Sequence, residues 1–421
     1  MVEWTEEENY KFRLSQFRDS LLARYQSDPQ VVYPPRQHGN VLDMLSAPLE
    51  DLSVSRPRYR LHWGISVPND PAHTIYVWFD ALINYLTGIG YPWDTEGQKM
   101  RSSWPPDLQV VGKDIIRLAM YFVMYLDQIS NLNSFHAIYF PAMLQALDLP
   151  LPKRILAHSH WTVNRRKMSK SIGNVVDPFQ AMEVLGTDLV RYYLARIGGR
   201  FKDDVGESNV AVTTSRELIT SPDWSSEQLE NNAAELESLL GNFYLRITSA
   251  AIRRRLPEDF HSHLRESLEQ SLNTESLKEV ANRLQRLAFM VDHHLKELRV
   301  AEALEAIIHQ LKMVCPALSF TIGRLLTFPS QANIMMNATE PWAKNTPKAV
   351  TGRVYALSLE ILRICGILLQ PFIPSKAGML LDAMNIPRSE RMLQDAQYLH
   401  SSVDNITPGV KLFSRASKTM D

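Results

Sequence analysis

A basic stretch between residues 165 and 178 carries the densest group of side chains that could act on a phosphate. Its sequence, Arg-Arg-Lys-Met-Ser-Lys-Ser-Ile-Gly-Asn-Val-Val-Asp-Pro, places Lys167 and Lys170 three residues apart, with Gly173 beyond them. Two ammonium groups on one loop can bind a polyphosphate and stabilise its charge. A generic Lys-x-x-Lys pair is usually a solvated surface feature, but the complete string is far more specific.

Short apolar runs before this loop predict an α/β region that would position it. The runs Thr74 to Phe79, Leu108 to Gly112 and Arg154 to His158 are β-branched or aromatic, and turn residues bound them. This pattern is typical of buried strands. A helix-like stretch follows each run, so the sequence predicts a mostly parallel sheet. Gly112 and Asp114 come at a strand end, where α/β sheets bind ligands and where a carboxylate can accept from ribose hydroxyls.

After about residue 225 the pattern becomes purely helical. Apolar residues recur at alternating steps of three and four between Leu277 and Val291, and again over 304–311 and 354–368. This spacing predicts the buried faces of packed helices, the last of which should end at Pro371 and Pro374. The predicted fold is therefore a partial Rossmann-type α/β domain followed by an all-α helical bundle.

Composition excludes several classes of protein. The chain has 421 residues, of which 45% are hydrophobic and 22% charged, so disordered and collagen-like classes are excluded. The formal net charge of −1 means that any contact with nucleic acid must come from local patches. Two cysteines, Cys315 and Cys365, are too few for a zinc knuckle or a disulfide framework. No structural metal is therefore expected. Apolar runs such as Leu118 to Leu126 are shorter than the ~20 residues of a membrane helix, so no membrane span is expected either.

The basic loop resembles the second signature of class I aminoacyl-tRNA synthetases, in which Lys167-Met168-Ser169-Lys170-Ser171 would close over ATP. Further stretches are similar to methionyl-tRNA synthetases in particular, almost continuously from residue 3 to 205. They are Trp4–Leu14, Asp51–Arg56, Leu61–Pro68, Tyr76–Tyr85, Val111–Ile115, Phe135–Leu144, Leu151–His158 and Asp188–Leu194.

The resemblance implies a set of site residues. ATP, entering with Mg²⁺ as substrate, would bind Gly112, Asp114, His158, Lys167, Met168, Ser169, Lys170 and Ser171, with Lys167 and Lys170 catalytic. Methionine would bind Trp78, Asp80, Ala81, Tyr85, Phe135 and His136. An aromatic pocket suits an unbranched, polarisable thioether. Core packing is the alternative for each aromatic residue and for His158, and a buried structural acid is the alternative for Asp80.

The helical half carries a second set of residues that the resemblance assigns to the CAU anticodon. Asn242 and Arg246 are four residues apart, hence on one helix face, and Trp342 follows Glu340-Pro341. An indole can stack on a splayed base, and an Arg can bind base edges. The alternatives are that Asn242 and Arg246 form a solvated polar pair and that Trp342 caps a helix junction.

The chain also departs from the family pattern. No His-Ile-Gly-His motif occurs in it, so we expect an N-terminally truncated chain that is incomplete for catalysis. Three stretches, 118–134, 206–222 and 313–331, interrupt segments that the family keeps contiguous, and five of their 53 residues are charged. We interpret them as translated introns or gene-model errors, the alternative being lineage-specific loops.

The resulting functional expectation is a methionine–tRNA ligase that forms methionyl-adenylate and transfers methionine to tRNA(Met). The alternatives are a non-catalytic tRNA-binding fragment and another class I synthetase. The expected domains are the end of a connective insertion (1–73), the C-terminal half of the catalytic domain (74–180), a stem-contact region (181–235) and an anticodon-binding bundle (236–421). A monomer without zinc is expected, in the mitochondrial matrix or, alternatively, in the cytoplasm.

Overall fold

The computed structural model describes residues 7–95, 103–112, 135–164, 166–170, 172–201, 222–313, 334–399 and 406–413, without the side chains of Lys167, Ser276, Ile334 and Asn337. Two compact units make up the chain. The first comprises Met1–His160 and Phe201–Ser221, and the second comprises Trp161–Arg200 and Pro222–Asp421. The loop with Lys170 therefore belongs to the same unit as the helices that follow it. The predicted ligands Asp114 and Ser171 lie outside the described residues, as do the three insertions except for Pro222 and Met313.

The first unit combines short strands with helices. Its strands are β1 (Lys11–Phe12), β2 (Val32–Tyr33), β3 (Leu52–Ser53), β4 (Ser55–Pro57), β5 (Ser66–Val67), β6 (Asp70–Ile75), β7 (Leu108–Gly112) and β8 (Arg154–His158). Its α-helices are α1 (Arg18–Ser27), α2 (Pro35–Ser46), α3 (Val77–Thr87) and α4 (Phe140–Ala146), the last preceded by a π-helical turn at Phe135–Tyr139.

Three strands of this unit form a parallel sheet in the order β2–β8–β7. The bounds predicted for β7 and β8 are confirmed, and the two pair from Leu108 opposite Arg154 to Gly112 opposite His158. Buried apolar side chains of α1, α2, α3 and α4 pack with those of the sheet in one core. Since the strands are parallel, Gly112 and His158 lie at the same carboxyl edge of the sheet.

The predicted strand from Thr74 to Phe79 is only half correct. Thr74 and Ile75 end β6, which belongs to a separate antiparallel sheet in the order β4–β6–β5. The backbone N–H of Tyr76 still donates to the Val54 carbonyl at 2.8 Å, and α3 begins at the next residue. Leu82 and Leu86, four residues apart, are the buried side chains of α3. A short apolar run does not distinguish a strand from the start of a helix. Here the spacing of Leu82 and Leu86, beyond the run, is that of a helix.

The second unit begins with a small sheet and continues as helices. Its strands are β9 (Thr162–Val163), β10 (Arg166–Lys167) and β11 (Asp223–Trp224), in the order β10–β9–β11. Its α-helices are α5 (Pro178–Leu185), α6 (Thr187–Tyr193), α7 (Ser226–Leu236), α8 (Phe243–Ile247), α9 (Ala250–Arg253), α10 (Leu264–Ser271), α11 (Glu275–Lys296), α12 (Val300–Lys312), α13 (Ile334–Thr339), α14 (Lys348–Leu369) and α15 (Pro374–Ala383). A π-helical segment, Glu237–Asn242, joins α7 to α8.

Helix α14 lies at the centre of this unit. Its side chains are buried on all sides from Val354 to Leu369, as expected for a helix surrounded by others. The apolar repeats that predicted α11, α12 and α14 all contribute to one core, so these predictions are confirmed. Helix α14 ends before Pro371, whereas Pro374 starts α15 at a position where its missing N–H is not needed. Among the described helices, none combines the length and apolar character needed to cross a membrane.

Candidate active site and RNA-binding surface

An aromatic cluster joins α3 to the π-helical turn of the first unit. The Trp78 ring lies 5.9 Å from the Phe135 ring and 5.7 Å from the Tyr139 ring, measured between centroids. Phe135 and Tyr139 are 5.3 Å apart in an edge-to-face arrangement. The indole N–H of Trp78 donates to the Ser53 carbonyl at 3.1 Å, which fixes the ring plane. The sequence prediction missed Tyr139, although its spacing of four from Phe135 was a signal that both share a helix face.

Tyr85 and His136 form the polar end of the same region. The Tyr85 hydroxyl and His136 Nε2 are 2.9 Å apart, and the two rings meet edge to face at 5.5 Å. The His136 side chain is 7% exposed, and its Nδ1 atom has no hydrogen-bond partner among the described residues. Burial lowers the pKa of His136 below its ordinary value of 6.5, so the imidazole is neutral at pH 7. π-Helical turns such as the one that carries His136 occur frequently at functional sites.

Asp80 and Ala81 lie on the exposed side of α3. Asp80 is exposed, so the alternative that it is a buried structural acid is wrong. Ala81 is exposed one helical turn from Trp78 and from Tyr85, and Tyr85 is itself 42% exposed. The structure thus brings Trp78, Phe135, Tyr85 and His136 into contact in pairs, with Ala81 and Asp80 on the open face next to them.

The carboxyl edge of the parallel sheet carries Gly112 and two histidines. A Cβ atom at Gly112 would lie 3.4 Å from the His160 ring and 4.0 Å from the His158 ring. The two imidazoles meet edge to face at 6.3 Å, and His158 Nδ1 is 3.0 Å from the Ser159 carbonyl. The sequence prediction included Gly112 and His158 but missed His160. The available signal was its spacing of two from His158, which places both side chains on the same face of an extended segment.

The loop with the two lysines is built on a hairpin in the second unit. Lys167 ends β10, which pairs antiparallel with β9, and β11 pairs with β9 on its other side. The Ser169 N–H donates to the Asn174 side chain at 2.8 Å, and the Gly173 N–H donates to the Ser169 carbonyl at 3.1 Å. Gly173 has φ = +72°, a conformation that favours glycine. These bonds hold the loop in a compact turn that leaves Lys170 exposed.

Asn242 and Arg246 are exposed on one continuous helical segment of the second unit. Asn242 ends the π-helical segment and Arg246 lies in α8, one turn later, so the prediction of a shared helix face is confirmed. Trp342 is 41% exposed and follows the buried Pro341. This exposure is what stacking on a base requires, and it is equally compatible with the alternative that Trp342 caps a helix junction. Among the described residues, no three His, Cys, Asp or Glu side chains form a group suited to hold a metal ion.

Comparison with known proteins identifies the family. A family model described as tRNA synthetases class I (M) matches residues 1–221, more than half of the chain. The chain belongs to the methionyl-tRNA synthetase family. A related protein, the probable mitochondrial methionine–tRNA ligase of Neurospora crassa, is 38% identical over 406 residues, which covers 94% of this chain and 57% of that protein. The mitochondrial methionine–tRNA ligase of Homo sapiens is 34% identical over 416 residues, covering 94% of this chain and 59% of the human protein.

A solved methionyl-tRNA synthetase structure has the same fold. The Mycobacterium tuberculosis enzyme bound by methionyl-adenylate matches with a TM-score of 0.72 and 30% identity, over 98% of this chain and 70% of that one. This match confirms the expected fold class. The chain spans roughly three-fifths of the length of the fungal and human methionyl-tRNA synthetases that it resembles.

Proposed function

We propose that this chain forms the methionine-binding, nucleotide-binding and anticodon-reading parts of a methionine–tRNA ligase. The observation that carries the proposal is the set of ring contacts made by Trp78 and Tyr85, whose partners come from a separate segment and which include the 42% exposed Tyr85 ring. These are the side chains that the family resemblance assigns to methionine. The similar structure from Mycobacterium tuberculosis holds methionyl-adenylate, which supports this assignment.

The proposed methionine site matches the chemistry of the ligand. A thioether is polarisable and makes favourable contacts with ring edges, which Trp78, Phe135 and Tyr85 can supply. The neutral His136 presents a polar atom without placing a buried charge beside an apolar ligand. Asp80 and Ala81 would complete the site from the exposed face of α3.

Two sets of residues are assigned to the nucleotide, one at the sheet edge of the first unit and one in the lysine loop of the second unit. Gly112, Asp114 and His158 would bind the nucleoside part of ATP, which enters with Mg²⁺ as part of the substrate. The loop of Lys167, Met168, Ser169, Lys170 and Ser171 would bind the phosphates.

The proposed reaction has two steps. The methionine carboxylate attacks the α-phosphorus, the bond to the bridging oxygen breaks, and pyrophosphate leaves. Lys167 and Lys170 would stabilise the charge that develops on pyrophosphate, an interaction that is strongest in the transition state. A ribose hydroxyl of tRNA(Met) then attacks the methionyl carbonyl carbon, and AMP leaves.

The proposed anticodon site lies in the helical bundle. Trp342 would stack on an unpaired base of the CAU anticodon, while Asn242 and Arg246 would bind base edges. All three side chains are exposed, as such a role requires. We further propose a monomer without a resident zinc ion that acts in the mitochondrial matrix, which the mitochondrial relatives support.

Binding of tRNA(Met) to the 421-residue chain tests this function. We expect measurable, salt-dependent binding that weakens when the CAU anticodon is changed, because bases as well as phosphates are contacted. Trp342→Ala should weaken binding by about 1–3 kcal/mol, the range for one base stacked on an aromatic ring. Fluorescence anisotropy with labelled transcripts measures both effects.

Trp63→Ala provides a matched control, because Trp63 is also exposed, at 66%, but belongs to the first unit and to none of the proposed sites. Equal binding by Trp342→Ala and the parent, or indifference to the anticodon sequence, would contradict the assignment.

A further inference from the structure

The loop that carries Trp342 has a defined backbone. Glu340 has φ = +38°, and its carbonyl accepts from the Ala343 N–H and from the Thr346 hydroxyl, both at 2.8 Å. The buried Thr351 hydroxyl donates to the Pro341 carbonyl at 3.3 Å. These bonds shape the loop internally and tie it to α14.

Arg255 connects this loop to the turn that follows α9, the next helix along the chain after the segment that carries Asn242 and Arg246. It lies nine residues after Arg246, in the turn that follows α9, where its own N–H donates to the Ile252 carbonyl at 2.9 Å. Its Nη2 atom donates to the Thr346 carbonyl at 2.7 Å and to the Lys344 carbonyl at 3.3 Å. One guanidinium therefore links two segments about ninety residues apart in sequence.

The local sequence alone suggests a different role for Arg255. It is the last residue of an Arg253-Arg254-Arg255 run, and such runs commonly contact phosphates. Arg253 and Arg254 are exposed, as a phosphate contact requires, whereas Arg255 is half-buried and directs a donor at loop carbonyls. The structure thus separates Arg255 from its two neighbours.

We infer that Arg255 is a positioning residue that holds the Trp342 indole at a fixed distance from Asn242 and Arg246. The inference rests on the proposed anticodon site. A base that stacks on an indole while its edge binds other side chains requires both surfaces to be fixed relative to each other. Without Arg255, the loop would keep its internal bonds but lose this link to the segment after α9.

A double-mutant cycle tests the inference. The probe is a labelled RNA hairpin with the CAU anticodon loop, and the variants are Arg255→Met, Trp342→Ala and both together. We expect Arg255→Met to weaken binding by about tenfold, within the range for the loss of one stacked base. In the Trp342→Ala background it should have no further effect, because its action passes through the indole. Arg255→Lys, which retains one donor, should restore part of the affinity.

Salt dependence separates positioning from a direct phosphate contact. Loss of a phosphate contact reduces the slope of log K against log salt by about one. Arg255→Met should leave the slope unchanged. Arg254→Gln is the matched control with the same change in charge, and any effect it has should appear in the slope and add to that of Trp342→Ala. A reduced slope for Arg255→Met, or additivity with Trp342→Ala, would overturn the inference.

A measurement without RNA distinguishes failure of this inference from failure of the proposed function. Amide hydrogen exchange at residues 342–346 should accelerate at least tenfold in Arg255→Met, while the thermal unfolding midpoint stays close to that of the parent. Unchanged exchange in Arg255→Met would overturn the inference that Arg255 holds this loop, whatever the RNA binding data show. If exchange accelerates but Trp342→Ala does not weaken RNA binding, the link made by Arg255 is supported and the anticodon assignment of Trp342 is contradicted.

Discussion

At the scale of single residues, the protonation state of His136 bears on the ligand that we propose for the ring cluster. Its imidazole is buried beside Tyr85, and burial alone lowers the pKa of His136. A neutral ring is compatible with an apolar thioether, whereas a protonated ring would place an uncompensated cation beside it. Burial of the His136 imidazole also makes the stability of the first unit depend on pH.

We expect this linkage to appear as a loss of stability in acid. Because the folded pKa of His136 lies below the ordinary value of 6.5, its contribution is complete above pH 6.5. It is lost as the pH falls through the folded pKa, since the unfolded chain binds the proton more tightly. Denaturant titrations between pH 8 and pH 5 measure the free energy of unfolding, which should fall less steeply in His136→Gln than in the parent. Identical pH profiles for the two proteins would show that His136 is not the titrating group.

Tyr85→Phe separates the hydrogen bond from the ring contact. The substitution keeps the ring but leaves the buried His136 Nε2 without its partner at 2.9 Å. Such a loss costs about 1–3 kcal/mol of unfolding free energy. Tyr59→Phe is the control, because Tyr59 is 78% exposed. If both substitutions have the same effect, the Tyr85–His136 hydrogen bond does not contribute to stability.

At the scale of elements, α14 organises the helical bundle around a buried ion pair. Arg363 donates to both carboxylate oxygens of Glu360 at 2.8 Å, and the two side chains are 0% and 1% exposed. Arg363 also donates to the carbonyls of Asp395 and Gln397, and the Leu399 N–H donates to Glu360 at 2.9 Å. The pair thus satisfies backbone groups of the segment that packs on α14, so its role extends beyond the attraction of two charges.

Breaking this pair on one side should destabilise the bundle strongly. Arg363→Met leaves the Glu360 carboxylate buried without its cation, which costs about 3–5 kcal/mol. The double substitution Glu360→Leu with Arg363→Met should be less harmful than the single one, because no isolated charge remains. Thermal and urea unfolding followed by circular dichroism measure both. A double variant that is less stable than Arg363→Met would mean that the bonds to residues 395–399 outweigh the charge effect.

At the scale of the whole molecule, three stretches differ in composition from the rest of the chain. Residues 118–134, 206–222 and 313–331 contain five charged residues among 53, against 22% charged residues overall. Each separates segments that the family resemblance makes contiguous, and the first lies between Asp114 and His136, which are both assigned to ligands. We hypothesise that these stretches are absent from the protein made in cells.

Mass spectrometry of the native protein tests this hypothesis. A protease that cleaves before aspartate should yield a peptide that starts at Asp114, runs to Arg117 and continues directly into Phe135. Trypsin is unsuitable, because it cleaves after Arg117 at the junction itself. Detection of a peptide that starts at Asp127 and runs through Ser134 into Phe135 would refute the hypothesis.

The sequence by itself determined the elements and motifs whose information is local. The steps of three and four predicted α11, α12 and α14, and the β-branched runs predicted β7 and β8 with their bounds. Side-chain periodicity follows directly from backbone geometry, so such patterns are visible in a single segment. The lysine loop was singled out because its string of residues is specific, whereas the ring residues were assigned through the family resemblance.

Only the tertiary structure decided features that depend on segments distant in the chain. The run after Thr74 divides between a strand and a helix because β4 pairs with its first part and the core buries Leu82 and Leu86 of its continuation. His136 is neutral because the fold buries it beside Tyr85. Arg255 differs from the arginines next to it because a loop about ninety residues later presents its carbonyls there. Burial and hydrogen-bond partners are properties of the folded neighbourhood, and no local pattern encodes them.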